Sequence, residues 1–300
     1  MGTWQHYIRP TRIEDALSAL SEAGGQARPI AGGTALLLDL RQGRHPPVRV
    51  LVDVTGIPEM SGVERDGARL SIGAAVPLAR LLEVPCLPAE ATCLWEACRL
   101  IGGPQVRNVA TLGGNVGHAL PAADGAIALM ALQAEVEIAG TQGRRLVPIA
   151  GVFAGPGEVT FDRSAELLVR FLVPLQQPGE VSAFRRVMRP QGVAIAILNL
   201  AAWVSWEAAG GVRDVRLAMG PAGRTPFRAQ AAEQALRGSA GDGAALERAC
   251  QALLGEARLR TSPHRATVDY RRHMAGVLLD RTWAALLARR RGEMGAGHGR

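Results

Sequence analysis

Ile13, Ala16, Leu17 and Leu20 recur at helical spacing behind a Thr11-x-x-Glu14 capping-box pattern, and Gly24-Gly25 closes the segment. The chain is therefore expected to begin with an amphipathic helix. A short apolar run from Arg28 to Ala31 enters AGGTALLLDLRQG and is followed by β-branched VRVLVDV around residues 48–54. Strand, glycine turn, helix and strand form a small α/β unit over residues 1–57. A second unit, 58–176, starts with GVERDGARLSIGAAV, a hairpin turning on Asp66-Gly67. Helices follow at 77–83 and about 89–101, the latter stopped by Gly102-Gly103. Beyond the glycine-rich TLGGNVGHALPAADG come a helix over 124–132 and strands over 134–139 and 166–173. PLQQPG, residues 174–179, links to a third unit, 177–290. Its strands are expected at 182–188, 193–206 and 212–219, with Gly210-Gly211 turning one hairpin, and its helices at 227–237, 242–256 and 266–290. Residues 291–300 read as a disordered tail.

Composition narrows the function classes. The net charge of +7 suggests nucleic acid at first, but the chain has no Lys, and its arginines are scattered among Asp and Glu with only Arg289 to Arg291 in a run. Few aromatics lie nearby to stack on bases, so nucleic-acid binding is not expected. The longest apolar run, Val193 to Trp206, carries Asn199 and is shorter than the roughly 20 residues a membrane span needs. It reads as a buried strand, with Trp203 and Trp206 as core. MGTWQHYIRPTRIED lacks the features of a secretory signal, which makes the cytoplasm the expected location. The four cysteines, Cys86, Cys93, Cys98 and Cys250, include no Cys-x-x-Cys pair. Cys93 and Cys98 echo the start of a plant-type iron–sulfur spacing, but position 101 is Ile, so they read as small buried apolar side chains.

Two segments carry the candidate chemistry. Ile30-Ala31-Gly32-Gly33-Thr34 and Thr111-Leu112-Gly113-Gly114-Asn115 each put a Gly-Gly pair beside a hydroxyl residue at a boundary between regular elements. Such pairs let backbone approach a ligand closely, and their N–H groups can form an anion-binding nest to which Thr and Asn side chains add hydrogen bonds. A diphosphate fits that chemistry. Neither loop is a Walker loop or a Rossmann G-x-G-x-x-G, so the nucleotide would be bound by another fold.

RPIAGGTALLLDLRQG and IGGPQVRNVATLGGNVGHALPAADGAIALMALQAEVEI resemble the FAD-binding medium subunits of the xanthine dehydrogenase and carbon monoxide dehydrogenase family. The resemblance runs over about residues 4–285, through YIRPTRIEDALSAL, AELLVRFLVP and SAFRRVMRPQGVAIAILNLAAWV. It implies an α+β chain: a two-subdomain FAD-binding fold of the vanillyl-alcohol-oxidase type, then a domain of three-stranded antiparallel sheet and helical bundle. It also implies site residues. The first loop, Pro29, Ile30, Ala31, Gly32, Gly33, Thr34, Ala35 and Leu36, and the second, Thr111, Leu112, Gly113, Gly114 and Asn115, would hold the FAD diphosphate and neighbouring atoms. Asp124, in a P-x-x-D element, would accept hydrogen bonds from the cofactor, while Ile101 and Leu168 would pack apolar groups against it.

Three departures from the family pattern stand out. Arg186-Val187-Met188-Arg189-Pro190 replaces the common Lys-x-x-Arg-Arg, leaving Arg185 or Arg186 to make the Lys contact. Gly117, beside His118, stands where many relatives have Cys. Gly-Gly-Thr replaces the Gly-Gly-His-Ser of carbon monoxide dehydrogenases, which argues against carbon monoxide as substrate. The implied activity is that of an oxidoreductase subunit with no substrate-oxidising residue of its own. A large molybdopterin-binding subunit would oxidise the substrate, a small subunit with [2Fe-2S] clusters would relay electrons, and this FAD would reduce an external acceptor. Two alternatives are an FAD-free scaffold subunit and a stand-alone flavin oxidase, though no covalent flavin-attachment motif is apparent. His118, with no Cys/His cluster beside it, reads as a structural hydrogen-bonding residue and not a metal ligand.

Overall fold

A computed structural model describes residues 3–189, 195–208 and 210–293. The chain forms two compact units, each built from three separate segments. One comprises Met1–Glu83, Gly102–Ala119 and Ala134–Val173; the other comprises Val84–Ile101, Leu120–Gln133 and Pro174–Arg300.

The first unit contains a parallel three-stranded sheet in the order His6–Ile8, Val50–Asp53, Ala27–Ile30. The helix Ile13–Glu22 buries Ile13, Ala16, Leu17 and Leu20, the stripe expected from their spacing. The capping box does not form: Arg12 is the N-cap residue and no side chain caps the helix. Glu14 is instead drawn towards Arg12, whose Nε lies 3.4 Å away. The helix Leu36–Arg41 follows the first glycine turn, and Leu36, Leu37 and Leu40 pack with Ile30, Val48 and Leu51 in a small core.

The same unit contains a five-stranded sheet, whose order is Val63–Asp66, Arg69–Gly73, Glu166–Pro174, Glu135–Gly140, Gly143–Pro148. The Asp66-Gly67 hairpin is present. Gly143–Pro148 was not anticipated, because GRRLVP is exposed almost throughout and offers no apolar alternation. Nor was His6–Ile8, three exposed residues held by parallel pairing to Val50–Val52.

In the second unit the sheet order is Glu180–Val187, Leu198–Trp206, Val212–Gly220, Phe227–Arg228, all antiparallel. The two-residue strand adds a fourth member to the expected three, and the helix expected from 227 starts at Gln230. Every residue of Leu198–Trp206 is buried, because this interior strand has helices on both faces. Leu198, Leu200, Ala202, Val204 and Trp206 pack with the C-terminal helices Gln230–Leu236, Gly243–Glu256 and Val268–Arg290. The helix Asp124–Ala131 packs on the strand as well. The helix expected over 89–101 is divided at Ala91 into Leu87–Glu90 and Thr92–Leu100. Residues 193–194 of the expected buried strand and 294–300 of the expected tail lie outside the described residues.

Candidate functional site

The first loop is the end of a strand, a turn and the start of a helix. Pro29 and Ile30 belong to the strand Ala27–Ile30, residues 31–35 form the turn, and Leu36 is the first helical residue. Among the described residues, the amide N–H groups of Gly33, Thr34 and Ala35 donate to no protein acceptor. Thr34 is exposed. Unpaired, accessible donors in a glycine turn suit an oxyanion.

The second loop is more ordered than its glycine content suggested. Leu112–Gly117 is a short helix with Thr111 as its N-cap, whose Oγ1 accepts the Gly114 N–H at 2.9 Å. The Gly113 N–H donates to the Ala74 carbonyl at 3.0 Å, and the Asn115 N–H to the Thr111 carbonyl at 3.0 Å. These amides are therefore already used, which corrects the picture of a second open nest. What faces outward is Gly114, which is exposed, and Asn115, which is half-buried.

Two glycines bring the segments together by removing side-chain volume. A Cβ on Gly32 would lie 1.9 Å from the Val109 carbonyl oxygen, so the first loop rests its backbone directly on the residues that lead into Thr111. A Cβ on Gly113 would lie 2.4 Å from the Ala74 oxygen, seating the second loop on the bend after the strand Arg69–Gly73. Leu168 is buried in the strand Glu166–Pro174, and its Cδ1 would be 3.6 Å from a Cβ on Gly117. It thus lies beside the end of the second loop.

Arg163 was missed by sequence reasoning. It donates to the Gly117 carbonyl at 2.5 Å and the Gly157 carbonyl at 2.9 Å, clamping the end of the Leu112–Gly117 helix. Nothing in DRSAE distinguishes it from a surface arginine. Burial pushes the His118 imidazole below its usual pKa, and Arg163 and Arg44 push the same way against Asp39. His118 is accordingly neutral at pH 7.

In the second unit, Asp124 opens the helix Asp124–Ala131 and is buried. Its Oδ2 accepts from Arg186 Nη1 at 2.5 Å and its Oδ1 from Asn199 Nδ2 at 2.6 Å. Burial raises the Asp124 pKa, while Arg186 and Asn199 oppose that. Asn199 Nδ2 also donates to the Ala122 carbonyl at 3.2 Å. Two polar atoms in this cluster, Arg186 Nε and Asn199 Oδ1, are buried without a protein hydrogen bond. A carboxylate with two bonds retains lone pairs, so the cluster has capacity for a further ligand group or water. Asn199 was visible in the sequence as the one amide side chain in an apolar run, which is the signal of a buried polar site.

Arg185 and Arg186, alternatives in the sequence, take different partners, because neighbouring strand residues face opposite sides. Arg185 binds Glu96 at 2.8 Å; Glu96 also holds Arg289 at 2.6 Å and the Phe184 N–H at 2.8 Å. Ile101 ends the helix Thr92–Leu100 as its C-cap. Cys93 and Cys98 are buried; burial pushes the Cys93 thiol up to about 12 and that of Cys98 higher still, so neither is a ready thiolate. Among the described residues, no group of three or more His, Cys, Asp or Glu is placed to hold a metal, and no helix is long and apolar enough to cross a membrane.

Comparison with known proteins agrees with this anatomy. Residues 3–176 match the family described as the FAD binding domain in molybdopterin dehydrogenase, and residues 160–286 match the CO dehydrogenase flavoprotein C-terminal domain. The putative xanthine dehydrogenase FAD-binding subunit of Escherichia coli K12 is 33% identical over 91% of this chain and 93% of its own length. The carbon monoxide dehydrogenase medium chain of Hydrogenophaga pseudoflava is 30% identical over 94% of this chain and 97% of its own. A solved structure of carbon monoxide dehydrogenase from the same organism, lacking the Mo-pyranopterin moiety, superposes with a TM-score of 0.90 at 30% identity, covering 95% of this chain and 98% of that one. With both matches in register and the two glycine segments meeting backbone to backbone, the chain belongs to the family of FAD-binding medium subunits of the molybdopterin dehydrogenases.

Proposed function

We propose that this chain binds FAD on its two glycine segments and acts as the electron outlet of a cytoplasmic complex. Its partners in that complex are a large molybdopterin-binding subunit and a small iron–sulfur subunit. The observation that carries the site is the approach of Gly32 to Val109, which sets the unpaired amides of Gly33, Thr34 and Ala35 near the start of the second segment. Those amides and the Thr34 hydroxyl bind diphosphate oxygens. Gly114 and Asn115 supply the facing edge, and Leu168 gives an apolar contact. Thr111, Leu112 and Gly113 position that edge from below, since they are buried.

In the second unit, Asp124 with Arg186 and Asn199 offers a donor and acceptor set to a polar cofactor atom, and Ile101 an apolar one. Arg186 is preferred to Arg185 for the family's Lys contact because it belongs to the Asp124 cluster, whereas Arg185 is bound to Glu96. When bound, FAD would supply the redox chemistry for such an outlet, since a flavin can take up electrons singly and release them as a pair. The protein contributes position, exclusion of water and fixed charge. The substrate is determined in the molybdenum subunit and not in this chain.

The test is direct. The purified chain should show flavin absorbance near ~450 and ~370 nm, or acquire it on addition of FAD, because the colour belongs to the cofactor. A colourless protein that takes up no FAD would leave a scaffold role instead. Co-expression with neighbouring genes for a molybdopterin subunit and an eight-cysteine subunit should give a stable complex. If the flavin-loaded chain stays separate, the stand-alone oxidase is favoured.

A further inference from the structure

Arg271 lies in the first turn of the 23-residue helix Val268–Arg290 and its relative exposure is 3%. Its Nη1 donates to the Ile197 carbonyl at 2.6 Å, and its Nε is buried without a hydrogen bond. Among the described residues no carboxylate forms an ion pair with it, and the residues outside the description, 1–2, 190–194, 209 and 294–300, contain no Asp or Glu side chain. Nε and Nη1 are thus withdrawn from water with one carbonyl as partner and no counter-charge, an unfavourable setting for a guanidinium.

Its surroundings deepen the deficit. The turn between the last two helices is closed by Ser262 N–H to the Ala266 carbonyl at 2.9 Å and Arg265 N–H to the Ser262 carbonyl at 3.1 Å. Arg189 donates to the His264 carbonyl and fixes the turn from outside. This arrangement carries Arg260 and Arg265 to the start of the long helix, both exposed and neither in an ion pair among the described residues. Burial, then Arg265 and Arg260, push the Arg271 guanidinium below its usual pKa. Cations gathered at a helix N-terminus also oppose the macrodipole, whose positive end lies there. Asp269, the acid of that first turn, is exposed and pairs with none of them among the described residues.

We infer that Arg271, Arg260 and Arg265 form an oxyanion site that takes a phosphate-class dianion at the start of the last helix. A dianion answers the buried guanidinium, the two exposed arginines and the helix end together, and planar guanidinium forks suit phosphate oxygens. This site uses residues of the second unit other than those proposed for the flavin, and it does not depend on the flavin assignment.

The probe is inorganic phosphate, with the full chain in saturating FAD to keep phosphate off the glycine segments. Melting at pH 7 in potassium phosphate is compared with potassium chloride of equal ionic strength. Phosphate at ten times its Kd should raise Tm saturably by roughly 2–4 °C. R260Q/R265Q alters only exposed side chains, so it should fold with an unchanged or higher Tm in chloride and lose most of the phosphate response. Equal melting of the wild type in the two salts would overturn the site. So would a full phosphate response in R260Q/R265Q, which would mark a diffuse ion effect. Calorimetric titration gives a second reading: one saturable event in the wild type, weakened at least tenfold in the double variant, is expected, and no such event is the contrary result.

Discussion

Replacing Gly32 by Ala tests how closely the two segments must approach. The new Cβ would lie 1.9 Å from the Val109 oxygen, 2.4 Å from its carbonyl carbon and 2.8 Å from the Ala110 nitrogen. All three are backbone atoms, so no side chain can swing aside. Moving from 1.9 Å to ordinary contact at 3.4 Å requires about 1.5 Å of displacement between the first loop and the lead into Thr111. Overpacking of this kind typically costs about 1–3 kcal/mol. At roughly 2–4 °C per kcal/mol, Tm should fall by about 2–12 °C. Displacement on that scale also parts the amides of Gly33 to Ala35 from the second segment, so FAD affinity should weaken about ten- to a hundredfold, or about 1.4–2.8 kcal/mol. Quenching of FAD fluorescence on titration gives Kd, and differential scanning fluorimetry of the apoprotein gives Tm. G151A serves as the control, because a Cβ there meets nothing within 4 Å. If G32A matched G151A in both measurements, the backbone-contact reasoning would be wrong. A lower Tm with unchanged Kd would preserve the packing argument but remove the link to the cofactor.

Two further predictions address buried charge. D124L and R186M each leave one partner of a buried pair unmatched and should cost about 3–5 kcal/mol in urea unfolding, whereas D124L/R186M should cost clearly less than their sum; additive losses would show that the two residues do not act as a pair. His118 has a folded pKa held below the unfolded value of about 6.5, so the unfolded state binds more protons on the acid side. Its contribution is fully present above about pH 6.5 and is lost as pH falls below that value. H118Q should therefore flatten the decline of Tm between about pH 7 and 5 relative to the wild type, and parallel curves for the two proteins would refute the assignment.

Much of this protein was legible in its sequence. Periodicity located the first helix, the Asp66-Gly67 hairpin, the buried strand and the three last helices, because those elements answer to local spacing and to burial of one face or both. The two Gly-Gly segments were also legible, since few residue types can leave so little volume. Exposed and short strands were not: His6–Ile8 exists through pairing to residues 44 positions away and Gly143–Pro148 through pairing to residues 3 to 13 positions away, not through their own pattern. The capping box failed because Thr11 lies one residue before the N-cap, Arg12, so its hydroxyl is out of register with the first free amides.

The site divides in the same way. The candidate residues could be picked out from the order of Gly, Thr, Asn and Asp along the chain. What those residues do with their donors and acceptors was decided by tertiary structure. Thr111 uses its hydroxyl to cap a helix, Gly113 gives its amide to Ala74, and Arg185 and Arg186 go to different partners, Glu96 and Asp124, 89 and 62 residues away in sequence. Sequence fixes the inventory of hydrogen-bonding groups and the room each backbone position leaves. Only folding decides which groups are satisfied internally and which amides at the first glycine turn remain free for a ligand, because that depends on partners brought together from distant parts of the chain.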